Sequence, residues 1–270
     1  MRARILAAGF LVVAAGSAPA HETWMTPSTF SAKLGEEVRL DVSSGMAFPR
    51  LENPIKPSRV AKVSYRLARK EAVLKGLKTS DTSLIMRQAF PMNGVAAVWL
   101  DLNPKNIDLT DAEVAEYLDE IDATEAIRAT WARQKGRMAW KESYRKHAKT
   151  FVAIGDANGD RSWAVGVGQA LELVPTTDPL TVTVGGEFTV ELQAGSKPLP
   201  NLPIGLLIEG SPARVFRTTD DDGRATFPIA RGGRAMLFAV RLIPSTDGLS
   251  WTSDFCTMTF EIHRPKEGRP

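Results

Sequence analysis

Seven short apolar segments follow one another through the carboxyl-terminal part of the chain, each closed by turn chemistry. They are residues 180–184, 188–192, 202–208, 215–218, 225–229, 236–242 and 256–262, rich in Val, Ile, Leu, Phe and Thr and separated by Gly, Pro, Asn and Asp. Strands spaced at roughly 8–12 residues with no helical stretch between them describe an antiparallel β-sandwich of immunoglobulin-like or transthyretin-like plan. Asp222-Gly223 is a hairpin signal, because glycine accepts the positive φ that a tight turn between twisted strands needs. A carboxyl-terminal β-sandwich is therefore expected over 171–264, with Pro175-Thr-Thr-Asp-Pro179 marking the transition from what precedes it.

The preceding part, 21–170, reads as a second β domain with a helical insertion. Val38, Leu40 and Val42 alternate with Arg39 and Asp41, the period of a half-buried strand. Residues 60–67 and 95–100 look like further strands, and 50–59, with Pro54 and Pro57, like a loop. Between about 109 and 149 the pattern changes. Thr110 and Glu113 form a capping-box pair, and Val114, Leu118 and Ile121 recur at helical spacing. Stretches 125–138 and 141–149 lack proline and read as two more helices joined near Gly136, with Glu142 and Lys146 able to pair at i, i+4. Strand character returns at 150–154 and at 164–167, on either side of a polar loop.

The first twenty residues are expected to be a signal peptide. Arg2 and Arg4 precede a twelve-residue apolar stretch, 5–16, which is too short for the roughly 20 residues a membrane-spanning helix needs, and Ala18-Pro19-Ala20 offers a cleavage site. Cleavage after Ala20 would leave a periplasmic chain of 250 residues, and losing the two arginines lowers the formal charge from +3 to +1. Charge then gives no support for a nucleic-acid partner. The one cysteine, Cys256, forms no internal disulfide and excludes thiolate zinc sites. With no cysteine at 21 a lipid anchor is not expected, and residues 265–270 read as a tail.

Four passages resemble an exported family described as the NikM-like family, domain of unknown function 4198. His21-Glu-Thr-Trp-Met-Thr-Pro27 is similar to its opening H-x-x-W-x-x-P, and Ser44-Gly-Met-Ala-Phe-Pro49 to its G-x-x-F-P loop. Tyr144-Arg-Lys-His-Ala-Lys-Thr-Phe-Val-Ala-Ile-Gly155 is similar to a helix-to-strand passage. Leu171-Glu-Leu-Val-Pro175, Lys197-Pro-Leu-Pro200, Thr219-Asp-Asp-Asp-Gly-Arg224 and the segment from Trp251 to Phe260 follow the family's carboxyl-terminal half. The resemblance implies a periplasmic component of nickel or cobalt uptake, with a membrane metal transporter as partner.

His21 carries the sharpest chemistry. As the first residue of the mature chain it would hold a free α-amine and an imidazole that together close a six-membered chelate through Nδ1, a donor set suited to Cu(II) or Ni(II). Ni(II), Co(II) or Cu(II) is thus the expected cargo, with His147, His263, a carboxylate or no further side chain as open choices for the remaining ligands. His147, between Lys146 and Lys149, reads as a solvated helix face, and His263 as a surface residue. Copper-dependent oxidation would need a second histidine and a tyrosine beside His21. Asp156-x-Asn158-x-Asp160 imitates a calcium loop but lacks the later glycine and glutamate. No Gly-x-Ser-x-Gly, His-Glu-x-x-His or phosphate loop is present, so the protein is not expected to be an enzyme. The alternative to metal binding is an envelope interaction module that binds a protein or glycan without metal. The six tryptophans are expected to anchor cores.

Overall fold

Two long strands, Trp140–Ile154 and Trp251–Ile262, run parallel through the centre of the molecule, in register from Glu142 opposite Trp251 to Thr150 opposite Thr259. This computed structural model describes residues 21–211 and 213–265. The expected signal peptide, 1–20, and residues 266–270 of the expected tail lie outside them. The fold is mainly β, with two helices, α1 (Asp111–Glu120) and α2 (Glu125–Gln134).

The two central strands sit inside a ten-stranded sheet. On one side Gly233–Pro244, Pro203–Ile208 and Val215–Thr218 extend it. On the other, Gly94–Leu102, Val60–Leu67 and Lys70–Val73 do so. Strands from before and after residue 170 thus share one hydrogen-bonded layer. Because side chains alternate along a strand, this sheet presents two faces, and each is covered.

On one face Phe151, Cys256, Met258 and Phe260 meet Leu173, Phe188, Val190 and Phe227 of a four-stranded sheet built on Leu171–Pro175, Glu187–Ala194 and Arg224–Pro228. This is the carboxyl-terminal sandwich that the spacing of short strands predicts. Gly205 lies opposite Phe238, and a Cβ there would fall 2.2 Å from the ring, so only glycine admits this aromatic. On the other face Ala148, Val152, Val98 and Leu100 pack against Met25, Val38, Leu40 and Met86 of a second sheet containing Glu22–Pro27, Glu37–Gly45 and Leu84–Ala89.

Beside that sheet the two helices cover the same face. Tyr117 and Trp131 pack with Trp140, Val240, Trp251 and Phe255, and Trp140 stacks on Trp251 with centroids 4.4 Å apart. The capping box forms as expected: Thr110 Oγ1 accepts from the Glu113 amide and Glu113 Oε2 accepts from the Thr110 amide. All six tryptophans are buried.

Three expected elements differ. The helix expected over 141–149 is the first two-thirds of the strand Trp140–Ile154. Its side chains alternate between the two faces, and each face finds distant partners: Lys149 is buried and bonded to Glu172 at 2.6 Å, and Glu142 accepts from Tyr117 Oη at 3.3 Å and from Ser253 Oγ. Residues 180–184 are not a strand; Thr183 makes only an isolated bridge with His263, although Val182 is buried in the sandwich core. Residues 164–167 are not a strand but the end of a 3₁₀ turn, Ser162–Ala164, and the loop after it; the carbonyls of Ser162, Val165 and Gly166 accept from Arg66.

Candidate functional site

The amino-terminal strand Glu22–Pro27 is buried along its whole length and is held by side chains from the central sheet. Thr257 and Thr259 donate to the carbonyls of Thr23 and Met25, each at 2.6 Å, and Lys146 Nζ donates to the carbonyl of His21. At the other flank, the buried Glu22 carboxylate pairs with Arg214 at 2.9 Å, and Arg214 also binds the Glu120 carbonyl at the end of α1. These bonds fix where the backbone of His21 lies.

The half-buried His21 lines a cleft of about 620 Å³ shared with Thr23, Ser44, Asn53, Arg59, Lys105, Tyr144 and Lys146. Burial lowers the pKa of its imidazole, the Lys146 ammonium lowers it further, and Glu52 opposes both. The ring is therefore held neutral, with a lone pair on one nitrogen. Lys146 shows the same balance more strongly. Burial dominates and brings its pKa to about 8, with Glu22 and Glu142 pulling it up and Arg59 and Lys105 pushing it down. Its ammonium sits 5.4 Å from the Tyr144 ring centroid and 5.2 Å from that of Phe255. Burial also raises the Tyr144 phenol, so that hydroxyl keeps its proton at neutral pH.

The other two histidines lie elsewhere. His147 is not on a solvated helix face: it is buried in the central strand, with Nδ1 2.7 Å from Asp101 and Nε2 3.5 Å from Asp254. It turns to the sandwich face, whereas its neighbour Lys146 turns to the cleft. His263 is exposed, and its Nε2 donates to the Leu180 carbonyl at 3.1 Å. Neither lines the cleft. Among the described residues no group of three or more His, Cys, Asp or Glu side chains is placed to hold a metal. The second histidine that copper-dependent oxidation needs is thus missing beside His21.

The calcium-like loop uses its carboxylates internally. Asp156 accepts from the Asn158 amide, and Asp160 from the amides of Val95 and Ser162. Asp220 likewise accepts from the Asp222 and Arg224 amides, closing a turn.

The sequence profile of a family described as "Domain of unknown function (DUF4198)" matches residues 18–241, which include the cleft. The chain belongs to this family. No curated protein sequence matches it. Among solved structures, this DUF4198 chain aligns with the fibronectin(III)-like modules of Clostridium thermocellum CbhA over 91% of its own length and 98% of theirs, at 8% identity and a TM-score of 0.21. It aligns with the Yersinia pseudotuberculosis adhesin InvE over 90% of its length and 59% of the adhesin's, at 13% identity and a TM-score of 0.24. With murine CEACAM1b the coverage is 90% and 99%, the identity 10% and the TM-score 0.21. Likeness at this level says nothing of function.

Of the cleft residues in the DUF4198 chain, sequence reasoning singles out only His21. Arg59, Lys105, Tyr144 and Lys146 come from three separate segments and meet only through the sheet. One signal was available: Tyr144, Lys146 and Ala148 recur every second residue, which places them on one strand face.

Proposed function

We propose that this chain is a non-enzymatic periplasmic protein that binds a first-row transition metal, Ni(II), Co(II) or Cu(II), on His21 and passes it to a membrane transporter in uptake or homeostasis. The supporting observation is the position of His21: Lys146 holds its backbone carbonyl, and its half-buried ring lines a cleft of about 620 Å³. Only the neutral imidazole ligates a metal, and burial together with Lys146 favours that form. Cleavage after Ala20 would add the α-amine, and the two nitrogens would chelate one ion. Tyr144, whose hydroxyl carries oxygen lone pairs, lines the same cleft. A set of two nitrogens with exchangeable remaining positions suits a carrier, which must release its cargo, better than a structural site closed by four protein ligands.

The test is calorimetry with Ni(II) and Cu(II) on protein that begins at His21, beside protein carrying one extra residue ahead of it. The extra residue converts the amine to an amide. It should weaken binding at least about tenfold, the equivalent of roughly 1.4 kcal/mol, and His21→Ala should remove it. Equal affinities in the first two proteins would end the proposal.

A further inference from the structure

We propose that the cleft beside His21 is also an anion site whose ligand is a small organic polycarboxylate. This rests on the cations of the cleft and on its apolar wall, not on the metal reading. Lys56, Arg59, Lys105 and Lys146 all line it, and no Asp or Glu does. Among the described residues none of the four makes an ion pair within 4 Å, although Arg145, Lys149 and Arg214, elsewhere in the same fold, are all paired with carboxylates. Like charges gathered from separate segments repel one another; the buried Glu22 and Glu142 act on Lys146, but no carboxylate lines the cleft among the four cations.

Lys146 makes the case specific. The residue is 6% exposed, and its ammonium, which lies over the Tyr144 and Phe255 rings, has among the described residues one hydrogen-bond partner, the His21 carbonyl. An ammonium carries three donors, and the His21 carbonyl takes up one, so its hydrogen-bonding capacity is not filled by the protein. A buried charge without a full set of partners is costly, and a carboxylate oxygen is the acceptor that best offsets it. The Arg59 Cζ lies 5.8 Å from the Tyr144 ring centroid, and its Nη1 donates to the Pro104 carbonyl at 3.4 Å, leaving its other donors for a ligand. Beyond the charges, Pro54, Ile55 and Leu102 give the cleft an apolar side. Inorganic phosphate would leave that side against water, while a carbon skeleton bearing two or three carboxylates covers it. A volume of about 620 Å³ lies within the range that small-molecule sites use.

The two proposals are compatible. A carboxylate ligand would neutralise the cations that repel a bare divalent ion, and it would offer oxygen donors to a metal on His21.

The test is calorimetric titration of metal-free protein beginning at His21, dialysed free of chelator, with citrate, and separately with inorganic phosphate. Citrate is expected to bind, at least about tenfold more tightly than phosphate, and the Arg59→Gln/Lys105→Gln variant should lose at least about tenfold in citrate affinity, the scale of one lost charge-assisted contact. Both substitutions are at accessible positions and leave the buried Lys146 in place, so circular dichroism should be unchanged. The proposal is overturned by no heat at millimolar citrate, by phosphate binding as tightly as citrate, or by a folded double variant that binds citrate as the parent does. A protein that takes citrate but no metal would defeat the metal reading alone, and one that takes metal but not citrate would defeat only this one.

Discussion

His147 occupies the space between two carboxylates, and only its doubly protonated ring can donate to both Asp101 and Asp254. Burial works against that charge, but the two hydrogen bonds and the two negative charges outweigh it and raise the pKa above the ordinary histidine value. A pKa raised in the folded state means that the stabilisation is fully present below the unfolded value, near 6.5, and is lost as pH rises through the folded value. His147→Gln should therefore cost about 1.5–3 kcal/mol in acid, the worth of buried hydrogen bonds to charged groups. The cost should shrink as pH rises past the raised value. Urea titrations of both proteins across that range check it, and a gap that widens with pH would show the sign to be wrong. None of this is visible locally. Arg145, His147 and Lys149 look like a solvated face because their counter-charges, Asp254, Asp101 and Glu172, come from other strands distant in sequence.

At the scale of elements, α1 illustrates what local chemistry can determine. Its capping box and its Val114, Tyr117 and Leu118 face are set within one short segment, and helix and cap both lie where the pattern puts them. Thr110→Ala should destabilise the protein by about 1 kcal/mol, because the Glu113 amide loses its acceptor at the helix start. A loss of Tyr117 stacking on Phe255, now 6.0 Å apart, should accompany it as a change in near-ultraviolet dichroism. If chemical denaturation gives the same midpoint for both proteins, the box contributes nothing. The strand Trp140–Ile154 illustrates the opposite. Its residues Glu142, Tyr144 and Lys146 share a face at every second position, but helical propensity and charge spacing both favour a helix there. Tertiary pairing with Trp251–Ile262 overrides that preference. Residues 180–184 fail in the other direction: Leu180-Thr-Val-Thr-Val184 alternates like a strand, yet the turn at Gly185-Gly186 leaves it only the bridge from Thr183 to His263.

For the whole molecule, the decisive contact is the parallel pairing of strands from opposite sides of residue 170. Parallel partners this far apart in sequence leave no turn signal, which is why the mainly β class and the carboxyl-terminal sandwich were legible while the shared central sheet was not. The cleft was hidden for the same reason, since Lys146 reaches His21 only across that sheet. The pairing also has an energetic consequence. Residues 171–265 alone would expose Val240, Leu242, Trp251 and Phe255, which now lie buried against the helices and the Trp140–Ile154 strand. At about 1.5–3 kcal/mol for each buried apolar side chain, the loss is on the order of 6–12 kcal/mol, comparable with the 5–15 kcal/mol that stabilises a typical protein. Phe151, Val95 and Ala97 would be missing from the sandwich core as well. The edge of Trp251–Ile262 would meanwhile stand open to pairing with another copy. Calorimetry on the protein beginning at His21 should therefore show one cooperative transition, and the 171–265 fragment should aggregate or melt without one. A fragment with its own sharp, reversible transition would mean that the sandwich is autonomous and that the central pairing only docks it, in which case ligand binding in the cleft could be lost without unfolding the carboxyl-terminal half.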